Sequence, residues 1–163
     1  MSGLRLRPAE RTDVPVLLQL IRALATYERA PDAVVATEAD LLREGFGAQP
    51  RFRATLAEYD GAVVGFSLWF YNYSTWLGRA GIYLEDLFVL PELRGKGIGR
   101  ALLAELARTA LAEKCGRVDW QVLDWNSPAI EFYERLGAKK VSGWFNMRVQ
   151  GEAALRQLAG ERE

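Results

Sequence analysis

One run near the middle of the chain constrains the fold more than any other. Ile82 to Leu90 is an apolar stretch interrupted only by Glu85 and Asp86 and closed by Pro91. That predicts a buried strand. A glycine cluster follows, Gly95, Gly97 and Gly99, and then Ile98, Leu102, Leu106 and Ala110 recur at helical spacing to about Lys114. Arg117 to Leu123 reads as another strand. A strand, a glycine turn, a long helix and a second strand make a crossover unit, which predicts parallel pairing of the two strands.

The flanking sequence adds an antiparallel half. Leu4 to Arg7 alternates apolar and basic as a short first strand. Asp13 is placed to cap a helix with Pro15 in its first turn and Val14, Leu17, Leu18, Ile21, Leu24 and Ala25 on its apolar face. A second helix is expected from Thr37, with Asp40 three residues on and Gly45 as its stop. Phe52 to Glu58 and Ala62 to Tyr73 are strands joined at Asp60-Gly61, a strong hairpin signal. Trp76-Leu77-Gly78 lies in the next loop. Further on, Ser127 is read as the cap of a short helix with Pro128 at its first position and Gly137 as its stop. Lys140 to Val149 is expected to be a last strand or hairpin, and Glu152 to Leu158 a terminal helix. The pattern is mixed α/β, without repeat, low-complexity tract or linker, and predicts a single domain over residues 1–163.

Composition narrows the chemistry. Half the residues are hydrophobic, enough for one packed core. Lys plus Arg and Asp plus Glu are 21 each, for a net charge of zero, which argues against nucleic acid as a partner. No apolar run is long enough for a membrane span, and the first residues lack the apolar stretch of a signal peptide. The single cysteine, Cys115, excludes an internal disulfide and fits a cytoplasmic location. There is no histidine at all, which removes His-based triads, His metal ligands and His general bases. No metal site is expected. Acid–base work falls to Asp, Glu, Tyr, Lys, Cys, the backbone or water.

Arg94-Gly95-Lys96-Gly97-Ile98-Gly99-Arg100 is where a ligand is expected. Alternating glycines let the backbone approach closely and point several N–H groups one way, and the helix start adds positive charge. The physical reading is a pyrophosphate cradle; the bland one is a glycine-rich turn with solvated charges. The run is not a Walker A loop, because Arg100-Ala101 replaces the Lys-Ser/Thr, and it does not match GxGxxG. Glu85 and Asp86 are adjacent carboxylates in an apolar strand. Strict alternation sends them to opposite faces, and Asp86 is expected to serve a backbone or helix-end group. By spacing alone, Tyr133, with Ala129, Phe132 and Leu136, reads as a core tyrosine.

The pattern Arg-x-x-Gly-x-Gly at Arg94, Gly97 and Gly99 resembles the acetyl-CoA motif of the GNAT N-acetyltransferase superfamily. Arg7-Pro8-Ala9, Asn126 and Phe132-Tyr133-Glu134-Arg135-Leu136-Gly137-Ala138 also match that family. Within it the chain is most similar to the diamine (spermidine/spermine) acetyltransferases, through Tyr27-Glu28, Thr37 to Leu42, Gly45-Phe46-Gly47, Tyr83-Leu84-Glu85-Asp86, Trp125-Asn126 and Phe132-Tyr133. The resemblance covers about residues 4–148.

It implies a mixed sheet, splayed at its centre and flanked by helices, and direct acetyl transfer from acetyl-CoA to a small primary amine. Leu87, Phe88 and Val89 would hold the pantetheine arm. Gly95 to Arg100 would hold the pyrophosphate, with Arg94 adding charge. Asn126, Ser127, Pro128 and Ala129 would contact the cofactor from the other side. Tyr133 would donate a proton to the departing sulfur, and Glu85 would act as base or ammonium anchor. Tyr27, Glu28, Trp76 and Gln121 would line the amine site. The similar enzymes are commonly homodimers, with Trp69, Phe70, Tyr71 and Tyr73 as a candidate surface.

Two departures bear on substrate size. Ser74 and Thr75 stand before Trp76 where polyamine-specific relatives tend to carry an acid, and Val141-Ser142-Gly143 stands where they carry glutamates. A long polycation needs carboxylates spaced along a groove, so a diamine or lysine-like amino acid is expected, with spermidine weak. The alternatives are a non-catalytic acetyl-CoA sensor and a protein lysine or N-terminal acetyltransferase. Tyr133, Glu85 and the complete glycine loop favour turnover over sensing, and the segment from Tyr27 to Gly47 resembles a lid over a small site.

Overall fold

In the computed structural model, which describes residues 3–161, the chain forms two compact units, Met1–Leu123 and Asp124–Glu163. The first carries β1 (Leu4–Pro8), α1 (Val14–Tyr27), α2 (Glu38–Phe46), β2 (Arg53–Tyr59), β3 (Ala62–Ser74), β4 (Arg79–Val89), α3 (Ile98–Ala112) and β5 (Val118–Trp120). The second carries α4 (Ser127–Arg135) and α5 (Glu152–Leu158).

The sheet runs β1-β2-β3-β4-β5 in chain order. The first three pairings are antiparallel, and β4 and β5 are parallel across the α3 crossover. Each face is covered by helix. On one, Leu56, Phe66, Leu68 and Phe88 pack with Leu17, Leu18 and Leu24 of α1 and Leu41 of α2. On the other, Ala57, Val64 and Val89 pack with Ile98 and Leu102, and Trp69, Ile82 and Leu84 with Leu106 and Ala110, all four from α3. Trp69 is therefore core and not part of an exposed surface.

Local chemistry explains where elements start and turn. Asp60 and Gly61 both take positive φ, 50° and 84°, the two-residue turn whose twist suits a hairpin. Thr37 caps α2 reciprocally with Asp40. Asp13 holds the cap position of α1 without a capping bond from its side chain. Its carboxylate is taken by Arg7, at 2.6 and 2.8 Å, and by the Glu10 N–H.

Several expectations are corrected. Gly45 does not stop α2, which runs to Phe46. Gly45 serves instead for close approach, since a Cβ there would lie 2.3 Å from the Phe52 ring. Asn126, not Ser127, caps α4: its Oδ1 accepts from the Ala129 N–H at 3.4 Å. The strand expected to reach Leu123 ends at Trp120, because β5 finds β4 beside it only at Ile82–Leu84. Beyond that point β4 continues from Glu85 to Val89 without a β5 partner among the described residues, and this is the splay of the sheet. Lys140 to Val149 forms no strand. Its alternation finds no partner strand among the described residues, and Gly143 at φ +85° interrupts the extended run.

Candidate active site

The two adjacent carboxylates of β4 depend on one irregularity. Leu68 pairs with Asp86 and Trp69 with Leu84, so Glu85 is an extra residue in the ladder, a β-bulge. The bulge shifts the alternation. Leu84 packs under α3 and Phe88 under α1, although residues four apart on a regular strand share a face. Asp86, two residues before Phe88, therefore belongs to the α1 side. Strict alternation from Leu84 would put Asp86 on the α3 side, and the bulge at Glu85 puts it on the α1 side instead.

The end of α1 supplies the rest of this corner. Tyr27 is its last residue and packs against the core that holds Phe88. Glu28 caps the helix, its N–H donating to the Leu24 carbonyl, and the next N–H, of Arg29, donates to the Thr26 carbonyl. Burial pushes Asp86 from 3.8 up to about 7, and the charges of Glu85 and Glu28 push in the same direction. Glu28, exposed in outline, is itself raised by partial desolvation. The Asp86 carboxylate has no hydrogen bond or ion pair among the described residues, so the structural role expected for it is not what it performs. Glu28, Glu85 and Asp86 together make this an acidic corner. The sequence signal lies in Tyr83-Leu84-Glu85-Asp86, where the family resemblance points to Glu85 and leaves Asp86 a structural part.

At the other end of β4 lies the glycine loop. Gly95 and Gly97 both sit at φ +78°, and Gly97 is the first flanking residue of α3. No side chain caps α3, so its first N–H groups are left for another acceptor. A Cβ on Gly95 would meet nothing within 4 Å. Uncapped N–H groups at the start of a 15-residue helix, beside open space and cations, fit a pyrophosphate. The unpaired edge of Glu85–Val89, which includes Leu87, Phe88 and Val89, fits an amide-bearing arm.

The loop cations differ in what they touch. Arg94 donates from Nε to the Val89 carbonyl at 3.1 Å, with its guanidinium 4.2 Å from the Tyr27 ring centroid and 5.6 Å from that of Phe88. Lys96 lies 5.3 Å from the Tyr59 ring. Arg100 makes no ion pair or ring contact among the described residues.

One expected site residue, Trp76, stands apart from this corner, whereas Gln121 comes directly after Trp120, the partner of Leu84. Trp76 is at the tip of the β3–β4 hairpin, 86% exposed. From Arg79, just past that tip, β4 runs about 20 Å to Glu85 at ~3.3 Å per residue. Gln121 follows the end of β5. In the second unit, Asn126 is buried at the head of α4, Ser127, Pro128 and Ala129 form its first turn, and Tyr133 is half-buried one turn on, its ring 5.4 Å from that of Phe132.

A family model described as "Acetyltransferase (GNAT) family" matches residues 17–138. The chain belongs to the GNAT acetyltransferases. The match includes residues of both compact units. The acetyltransferase is 40% identical over 172 residues to a thialysine N-epsilon-acetyltransferase of Sus scrofa, covering 99% of this chain and 100% of that one. It is 36% identical over 165 residues to a human spermidine/spermine N(1)-acetyltransferase-like protein 1, covering 95% of this chain and 24% of that one. Among solved structures it resembles an integron cassette protein from V. cholerae, with a TM-score of 0.81, 26% identity and coverage of 98% and 99%. No described helix is long and apolar enough to cross a membrane, and no described cluster of acidic or sulfur side chains forms a metal site.

Proposed function

We propose that this acetyltransferase moves the acetyl group of acetyl-CoA to a primary amine of a small molecule, a lysine-like amino acid or a short diamine. The observation that carries this reading is the corner of Glu28, Glu85 and Asp86. The thialysine acetyltransferase likeness over the full length of both chains supports it, as does the acetyltransferase family itself. Ser74, which stands where polyamine-specific relatives tend to carry an acid, is committed to the hairpin turn, its hydroxyl accepting the Leu77 N–H at 3.1 Å.

Acetyl-CoA supplies the activated thioester. The residues do the rest. An alkylammonium has a pKa of about 10.4 and is no nucleophile until it loses a proton. The acidic corner attracts it, and Asp86, with its proton coming off near neutrality, takes that proton at working pH. Glu85 holds the ammonium before transfer. The glycine loop, with Gly95, Lys96, Gly97, Ile98, Gly99 and Arg100, binds the pyrophosphate, and Leu87 to Val89 the arm. By the family resemblance, Asn126 to Ala129 are assigned to cofactor contact and the Tyr133 hydroxyl to giving a proton to the leaving sulfur. We further assign the enzyme to the cytoplasm on its single cysteine, and to a homodimer with Phe70, Tyr71 and Tyr73 as its candidate surface.

The test is CoA release from acetyl-CoA with thialysine, lysine, putrescine, spermidine and no amine. Higher kcat/KM for a short amine or amino acid than for spermidine supports the proposal. Preference for spermidine would overturn the size argument. Binding of acetyl-CoA without turnover on any amine would replace the enzyme reading with a sensor.

A further inference from the structure

Arg94 has the composition of a phosphate ligand and the geometry of a clip. Its Nε is bonded to the last carbonyl of β4 and its guanidinium plane lies against Tyr27, the residue before Glu28. The next residues, Gly95 to Gly97, form the loop. A single side chain thus ties the loop to the helix end that carries one of the three carboxylates. Lys96, by contrast, rests on Tyr59 of β2, away from that helix.

We infer that Arg94 is a positioning residue that couples the two substrates: through Val89 and the Tyr27 ring, filling the glycine loop tightens the amine site. The inference rests on the functional reading above. The loop contains two residues in left-handed conformation and is held to its own turn by the Arg94 N–H on Pro91, at 3.2 Å. Ligand on the loop removes its freedom. Because Arg94 is fixed at both ends, the same ordering reaches Tyr27 and Glu28, so a second ligand finds that ordering already done. Linkage makes the effect reciprocal: the amine must tighten CoA by the same factor.

The experiment measures thialysine affinity by calorimetry with and without saturating CoA, in the wild type and in Arg94→Lys, Tyr27→Leu and Tyr27→Phe. The ratio of the two affinities is read, so a loss common to both conditions cancels. In the wild type CoA is expected to tighten thialysine about fivefold or more, the lower end of ordinary coupling. Arg94→Lys keeps the charge but loses the planar fork and the Nε donor, and its ratio is expected to fall to about one. Tyr27→Leu removes the ring from the opposite side and does the same, while Tyr27→Phe keeps the ring and the coupling. An Arg94→Lys ratio equal to the wild-type ratio would overturn the inference, as would loss of coupling in neither Tyr27 variant. Thialysine binding equally with and without CoA in the wild type would overturn the coupling and leave the functional reading standing. No thialysine binding under either condition would overturn both.

Discussion

Leu84 and Phe88 lie four residues apart on one strand and pack into cores on opposite faces of the sheet. The residue that makes this possible is Glu85, the bulged position between them. The same shift that turns Phe88 toward α1 turns Asp86 toward Glu28. An irregularity of one residue therefore builds the acidic corner, and moving it would dissolve the corner without changing any side chain.

The first prediction concerns stability against pH. Asp86 is raised in the folded protein from 3.8 to about 7. Below pH 4 it is protonated folded and unfolded and has no effect. Between pH 4 and 7 the unfolded chain releases the proton and the folded chain keeps it, so stability falls as pH rises, and the full penalty is present above 7. Glu28 and Glu85 face it and add to that penalty. Asp86→Asn is expected to gain about 2–4 kcal/mol over the wild type at pH 8 and to differ little at pH 4. A melting-temperature difference that does not change with pH would refute this.

The second concerns catalysis by the same group. If Asp86 accepts the ammonium proton, kcat/KM for thialysine rises with pH through a limb near 7. Asp86→Asn should remove that limb and lower kcat by about 10²–10⁴. Glu85→Gln removes one of the charges that hold Asp86 up, so the limb should move to lower pH and KM for the amine should rise. An unmoved limb in Glu85→Gln would separate the two carboxylates and return the base role to some other group.

The third concerns the acid. Tyr133 lies on α4, whose start is fixed by the Asn126 cap. Tyr133→Phe keeps the ring and its contact with Phe132 and deletes only the hydroxyl. A fall in kcat of about 10²-fold or more, with KM for acetyl-CoA little changed, is expected for loss of a proton donor. Unchanged kcat would leave Tyr133 as packing.

What was legible in the sequence was local. The Thr37 and Asp40 cap, the Asp60-Gly61 turn and the buried face Ile98, Leu102, Leu106 and Ala110 each depend on residues a few positions apart, and each is found where its pattern placed it. The Glu85 bulge depends on which residue of β3 faces which residue of β4, and nothing within β4 specifies that. Arg94 was legible as a cation near a phosphate cradle but not as a partner of Tyr27, because that contact joins residues 67 positions apart. Asn126 and Ser127 are adjacent and both good caps, so the sequence does not choose between them. Lys140 to Val149 carried a strand pattern, yet a strand needs a neighbour as much as a pattern.

The last prediction separates the cost of bending a glycine from the cost of filling its site. Gly61 and Gly95 have φ of +84° and +78°, and a Cβ on either would meet nothing within 4 Å. Alanine at either position therefore carries only the conformational cost of a left-handed residue, about 1–2 kcal/mol. Gly61 lies in the β2–β3 turn, far along the chain from the loop, and Gly95 lies where the pyrophosphate is expected. Gly61→Ala and Gly95→Ala should lower the melting temperature by similar amounts. Only Gly95→Ala should raise KM for acetyl-CoA, since its methyl group stands in the space the phosphate would use. Equal KM values in the two variants would move the pyrophosphate away from Gly95, and with it the case for the loop as the cofactor's anchor.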